Sequence, residues 1–276
     1  MNRRRFVKLT VGVGCAACLV GSYIVFIERY LVQFNKYRIP IPNLPEEFVG
    51  LKIVHITDVH YGFLVPYAFV RHLIDRVNAL EKDVVVCTGD YIHERNSTKQ
   101  IERIWPLLCT LQAPLGVYSV LGNHDHWGST ERSLFWLEKS GQNLRGKVTY
   151  LERKGKRLWF AGIGDFWEDP MNMDTILSYI PEEECRIVLA HNPDSADTPF
   201  HGRIDLMIAG HTHGGQVNIP FYGSPVLPVR NKNYSFGLKM SPKHHQVFIS
   251  RGIGWAIYPV RFNCYPEIPI LELTAA

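Results

Sequence analysis

The stretch Val117–Tyr118–Ser119–Val120–Leu121–Gly122–Asn123–His124–Asp125 decides the fold. Its apolar, β-branched half stops abruptly at a glycine, as a buried strand of an α/β sheet does where it enters a loop. The loop then carries a carboxamide, an imidazole and a carboxylate in succession. Open α/β sheets place their chemistry at the carboxyl ends of central strands, where such groups converge. The rival reading is a turn in which Asn123 and Asp125 only cap backbone groups. It loses ground because the same pattern recurs along the chain.

Leu51–Thr57 ends at Asp58–Val59–His60, and Asp83–Thr88 ends at Gly89–Asp90. Arg186–Ala190 runs into His191, and Leu206–Ala209 into Gly210–His211–Thr212–His213. A single residue between Asp58 and His60 lets both side chains reach a common ion. Between the first three strands, Ala68–Leu80 repeats Phe69, Leu73, Val77 and Leu80 at helical spacing, and Thr98–Leu111 is also helical. Strand, helix, strand, helix, strand with short connections predicts right-handed crossovers and a largely parallel core. Asp58, Asp90 and Asn123 then share one sheet edge. Further along, Glu131–Lys139 and Asp174–Ile180 read as helices, and Val148–Leu151 with Arg157–Ala161 as a hairpin. Phe236–Met240 and Gln246–Ser250 read as antiparallel strands, and Ile268–Leu273 as the last strand.

With 276 residues the chain suits one globular body with appendages. Its net charge of +4 is modest, and Arg3, Arg4, Arg5 and Lys8 lie in the leader, so the body is near neutral. A nucleic-acid binder would show a basic stripe, and none is present. The six cysteines form no C-x-x-C pair in the body, which argues for buried free thiols over a zinc knuckle or redox motif.

Residues 1–33 form a separate unit. Leu9 to Ile27 contains no charged side chain, and as a helix rising ~1.5 Å per residue it matches a hydrocarbon core about 30 Å thick. The run Arg3–Arg4–Arg5–Phe6–Val7–Lys8 is similar to a twin-arginine export signal. No small-residue cleavage site stands near Ile27, so an uncleaved anchor is expected, with a buried amphipathic helix as the rival. Positive residues stay cytoplasmic, which puts the body outside the inner membrane of a bacterium. Residues 34–49 read as an extended connector and 50–276 as the globular body.

Asp58, His60, Asp90, Asn123, His191, His211 and His213 are the candidate metal ligands. Mixed carboxylate and imidazole donors suit Mn²⁺, Fe²⁺ or Zn²⁺, with Mn²⁺ the expected ion. They exceed the need of one ion and suit two ions about 3.5–4 Å apart, a spacing that calls for a shared ligand. Asp90 is the natural bridge. The motifs Asp58–Val59–His60, Gly89–Asp90, Gly122–Asn123–His124–Asp125, His191 and Gly210–His211–Thr212–His213 together resemble the signature of the calcineurin-like metallophosphoesterases, over roughly residues 50–273.

That resemblance implies an αββα four-layer sandwich and hydrolysis of a phosphoester. It implies one ion on Asp58, His60, Asp90 and His213 and a second on Asp90, Asn123, His191 and His211. It also implies His124 as the group that meets the leaving oxygen, with Asp125 orienting its ring. Within the family the chain looks most like a bacterial branch with a leader or anchor. That branch includes phosphodiesterases and enzymes that cleave the pyrophosphate of UDP-2,3-diacylglucosamine in lipid A synthesis. The nucleotide lipid is made on the cytoplasmic side, so the leader favours instead an exported phosphodiesterase, and both readings stay open. A scaffold that has lost activity would have lost ligands, and none is replaced.

Arg251 and Arg261 offer paired donors to phosphate and are candidate substrate contacts. Phe63, Leu64, Val65, Tyr67, Phe221, Tyr222 and Leu227 are candidates for an acyl path, with Phe63 and Tyr222 foremost, or else ordinary loop anchors. His55 reads as a satisfied strand residue. His93 and His126 lie near the active loops, where substrate contact and surface placement both stay open. The lipid bilayer and a phosphoester or nucleotide-lipid substrate are the expected partners of a monomer.

Overall fold

The protein is represented by a computed structural model that describes residues 2–62 and 64–276. Phe63, expected at the substrate, lies outside the described residues. Helix α1 (Arg3–Phe26) precedes strands β1 (Lys36–Ile41) and β2 (Lys52–Ile56), then helix α2 (Tyr67–Ala79) and strand β3 (Val84–Cys87). Helix α3 (Thr98–Leu108), strand β4 (Val117–Ser119) and helix α4 (Asn123–Lys139) follow. The second half contains β5 (Val148–Arg153), β6 (Lys156–Gly162), α5 (Met173–Leu177), β7 (Cys185–Leu189) and β8 (Leu206–Ala209). It closes with β9 (Gly237–Met240), β10 (Gln246–Ile249) and β11 (Ile270–Ala275).

The strands form two sheets, ordered β1-β11-β2-β3-β4 and β5-β6-β7-β8-β10-β9. Strands β2, β3 and β4 run parallel, as do β6, β7, β8 and β10. Period-two alternation stacks the layers. Ile53, Val84 and Val86 face inward to meet Phe160, Ile187, Leu189 and Ile208 from the other sheet. Val54, Val85 and Cys87 face outward against Val70, Leu73, Ile104 and Trp105 of α2 and α3. On the far side, Ala161, Val188 and Met207 pack with Met173 and Ile176 of α5. These four layers are the αββα sandwich.

His55 lies between the sheets, its Nε2 2.7 Å from Thr88 Oγ1 and its ring edge-on to Phe248. Burial pulls its pKa down to about 3, so it is a neutral core residue.

Two expectations need correction. The segment read as connector contains β1, which pairs in parallel with β11 from Lys36 opposite Ile270 to Ile41 opposite Ala275. Its proline, Pro40, is tolerated because β1 is an edge strand. The loop after β4 is also shorter than expected, since Asn123 already begins α4, which kinks at Ser129.

Candidate metal centre

Parallel pairing brings the carboxyl ends of β2, β3 and β4 to the same side, and those of β7 and β8 meet them from the second sheet. The two edges are stitched by polar contacts. The His211 amide lies 3.0 and 3.1 Å from the two carboxylate oxygens of Asp58. Within the first sheet, the Asp58 amide donates to Gly89 O and the His60 amide to Asp90 O. Asp58, His60, Asp90, His211 and His213 all adopt left-handed backbone angles, with φ of 53°, 47°, 55°, 69° and 51°. Such angles cost roughly 1–3 kcal/mol each for residues with a Cβ and persist where the surroundings over-determine them. Here each turns a candidate ligand inward from the loop that follows a strand.

Gly122 permits the closest approach. A Cβ there would collide with Asp90 Oδ1 and lie 2.8 Å from His191 Cε1. Gly122→Ala is therefore expected to displace Asp90, destabilise the fold by about 1–3 kcal/mol and reduce bound metal. Thermal unfolding and metal analysis of the purified variant test this; full metal content would contradict it.

The candidate ligands supply two groups, and a third joins His60 to His93 and His124. In the first, Asp58, His60 and His213 have ligand atoms within 4.8 Å of one another; His60 Nε2 and His213 Nε2 are 3.0 Å apart, and His213 Nε2 is 3.4 Å from Asp58 Oδ1. In the second, Asp90, His191 and His211 converge likewise, with His211 Nδ1 3.0 Å from His191 Nε2. Asp90 joins the groups through one oxygen. Its Oδ2 is 3.5 Å from His60 Nε2 and 3.3 Å from His191 Nε2, while Oδ1 accepts the His124 amide at 2.8 Å.

Second contacts fix which nitrogen faces inward. His191 Nδ1 is 2.8 Å from Thr88 O, and His211 Nε2 is 2.9 Å from Pro228 O. Each carbonyl takes the ring N–H and leaves the opposite lone pair for an ion. Asn123 Oδ1 is buried without a hydrogen-bond partner, which a cation would satisfy.

The electrostatics ask for positive charge. Burial lowers the pKa of His60, His211 and His213, His211 to about 3, so these rings are neutral and each has a lone pair to give. Burial acts the same way on His191, yet Asp90, Asp58 and Asp165 outweigh it and hold that imidazole up to about 10. Carboxylates that recruit a proton onto a buried ring are short of cationic charge. The donor set thus fits divalent ions. Ion binding to the folded state alone is expected to stabilise it by about 2.7 kcal/mol at a hundredfold excess over Kd, raising Tm by roughly 5–10 °C. Calorimetry on chelated protein with and without Mn²⁺ measures this; an unchanged Tm would count against the site.

His124 is half-buried beside the first group, its ring centroid 4.5 Å from that of His60 and perpendicular to it. Its Nδ1 is 2.7 Å from His93 O, and the ring stacks on His93 at 5.5 Å. The expected role of Asp125 is corrected here. Its carboxylate accepts the amides of Asp90, Tyr91 and Gly122 at 2.8, 3.0 and 2.9 Å. As the third residue of α4 it reaches back to cap the helix, so it ties β3's loop to β4's loop and does not hold the ring. The carbonyl of His93 does that, and no sequence signal marks it because every residue has one.

Arg261 is fully buried and donates to carbonyls of His213 (3.0 Å), Arg251 (2.9 Å) and Gly254. Arg251 pairs with Glu267 at 2.9 Å. Neither guanidinium is free for phosphate, contrary to the expectation from sequence. Arg261 instead braces the backbone behind His213. Tyr222 is exposed on a groove shared with Leu227, Lys232 and Phe236. Leu227 of that groove is followed by Pro228, whose carbonyl lies 2.9 Å from His211 Nε2. His126 turns inward from the cleft, its Nδ1 3.3 Å from Thr130 Oγ1.

Residues 51–215 match the calcineurin-like phosphoesterases. The chain belongs to that family. Together with the paired donor groups, this makes it a metal-dependent hydrolase. It is 29% identical to the uncharacterized metallophosphoesterase YkuE of Bacillus subtilis, over 99% of this chain and 98% of that one. It is also 29% identical to the phosphodiesterase YaeI of Escherichia coli, over 99% of both chains. A third relative, the UDP-2,3-diacylglucosamine pyrophosphatase LpxG of Chlamydia trachomatis, is 25% identical over 97% of this chain and 98% of its own.

Proposed function

We propose that this calcineurin-like protein is a membrane-anchored phosphodiesterase that works with two divalent ions, Mn²⁺ foremost. Asp58, His60, Asp90 and His213 would hold one ion and Asp90, Asn123, His191 and His211 the other. The observation that carries this is Asp90 Oδ2 lying between two imidazole groups. When bound, the ions neutralise phosphoryl oxygens and lower the pKa of water.

The chain's own contribution is positional. Asp90 offers a single oxygen to both groups because the His124 amide occupies the other. With both ring nitrogens protonated, His124 would donate Nδ1–H to the His93 carbonyl and pass its Nε2 proton to the departing oxygen, leaving the neutral Nδ1–H ring. Asp125 and Arg261 hold the loops that carry these groups. Helix α1 is long and apolar enough to cross a membrane and buries none of its residues, which favours an anchor and a substrate met at the bilayer.

Purified protein should hydrolyse bis(p-nitrophenyl) phosphate with Mn²⁺, lose activity to a chelator and regain it on adding the ion. No turnover with any divalent ion would refute the proposal. A narrower reading, cleavage of a nucleotide-lipid pyrophosphate, draws on the name of the Chlamydia relative and on α1. Release of UMP from UDP-2,3-diacylglucosamine in detergent, together with a reporter fused after Ala276 that reports from the cytoplasm, would support it. An external reporter would favour an envelope phosphodiester.

A further inference from the structure

We infer that the loops 219–226 and 256–260 form an interfacial docking surface for a lipid bilayer, which seats the metal cleft in the headgroup layer. The inference rests on the proposed reading of α1 as an anchor. The end of that helix is clamped to the catalytic body. Ile24 O accepts the Arg261 amide at 3.2 Å, the hydroxyls of Tyr23 and Tyr265 are 3.0 Å apart, and Glu28 Oε1 accepts the Cys264 amide at 2.9 Å. The Arg261 guanidinium in turn donates to the His213 carbonyl. One residue therefore links the end of the span to a candidate metal ligand.

The two loops extend the same surface. The Asn218 amide donates to Phe262 O at 2.8 Å, and Gln216 exchanges two hydrogen bonds with Ala256. On this surface Phe221 is fully exposed, and Tyr222, Val226, Ile257 and Tyr258 are 74, 71, 81 and 69% exposed. A soluble face rarely gathers so many large apolar side chains without a partner. Phe221 and Ile257 also take left-handed angles, φ 68° and 61°. That is unfavourable for a bulky residue and above all for a β-branched one, and no burial within the molecule compensates it.

A bilayer supplies what is missing. Aromatic rings settle at the headgroup level and aliphatic side chains at the acyl boundary. The patch begins where the span ends, so the bilayer that receives α1 already touches it. A protein partner would have to compete with that lipid. The substrate class follows: an amphiphile whose phosphoester lies in the headgroup plane and enters the cleft laterally, through the groove that holds Tyr222.

The test uses the full chain in phosphatidylethanolamine–phosphatidylglycerol vesicles, with benzoylphenylalanine placed singly at Leu19, Phe221, Ile257 or Tyr179. Tyr258 replaces Ile257 should that variant not fold. Irradiation is expected to give roughly tenfold more lipid adduct from Phe221 and Ile257 than from Tyr179, an exposed residue after α5, as insertion into the acyl boundary requires. If Leu19 forms lipid adducts while the loop positions stay at the Tyr179 level, the docking surface is refuted and the anchor survives. If Leu19 itself forms none, the anchor reading fails and takes this one with it. Adducts from the loops to a second protein chain would also overturn it.

Discussion

Asp90→Asn is expected to abolish two-metal binding and lower kcat/KM for bis(p-nitrophenyl) phosphate by roughly 10³-fold or more, about 4 kcal/mol of transition-state stabilisation. The argument is local. Asparagine is nearly isosteric and can still accept the His124 amide with its oxygen, so the backbone link at 2.8 Å survives. Its nitrogen then stands where Oδ2 stood, between His60 and His191. An amide nitrogen has no lone pair to give and no charge to offset two dications. Both groups lose their common ligand at once, whereas Asn123→Ala removes a donor from one group only and should retain one ion. Metal analysis after gel filtration distinguishes the two variants, with circular dichroism as the check on folding. Two ions and activity within tenfold in the Asp90→Asn protein would remove the bridge from the account.

Much of this centre was legible in the sequence because ligands are recognised by residue type at a strand end. The runs before Asp58, Asp90, Asn123, His191 and His211 are all short, apolar and stopped by polar residues or glycine. Local pattern cannot show that β7 and β8 belong to a second sheet, because register between distant strands is fixed by pairing and packing. The inward and outward alternation of Ile53 and Val54, or of Val84 and Val85, becomes meaningful only once two sheets bury opposite faces.

The misreadings have one physical origin. The family resemblance implied that Asp125 orients the His124 ring, but as the third residue of a helix Asp125 sends its carboxylate to three amides. Arg261 carries the right chemistry for phosphate, yet the fold of 251–264 surrounds it with carbonyls. Lys36–Ile41 was obscured by its proline, whose cost vanishes at an edge. In each case a tertiary neighbour, invisible from residue spacing, decided the role.

His124→Gln is the second large effect, and it separates proton delivery from electrostatic support. The variant should keep both ions, since the His124 amide, unchanged by the substitution, still holds Asp90. For an alkyl phosphodiester, whose leaving alkoxide needs a proton, kcat is expected to fall about 10²–10⁴-fold, the range of a lost general acid. For a p-nitrophenyl ester the leaving phenolate is stable at neutral pH, and the loss should stay within about tenfold. Asp125→Asn gives the contrasting pattern: it weakens three amide contacts and so destabilises the loops, lowering Tm and slowing both substrates together. The carbonyl that orients the ring belongs to the backbone, so no side-chain change at His93 removes it, and His93→Ala should cost far less than His124→Gln. Equal losses on both substrates in His124→Gln would mean that the imidazole stabilises charge on the phosphoryl group and transfers no proton. Loss of an ion would make it a ligand through Nε2, with its Nδ1 still bonded to the His93 carbonyl as His191 is to that of Thr88.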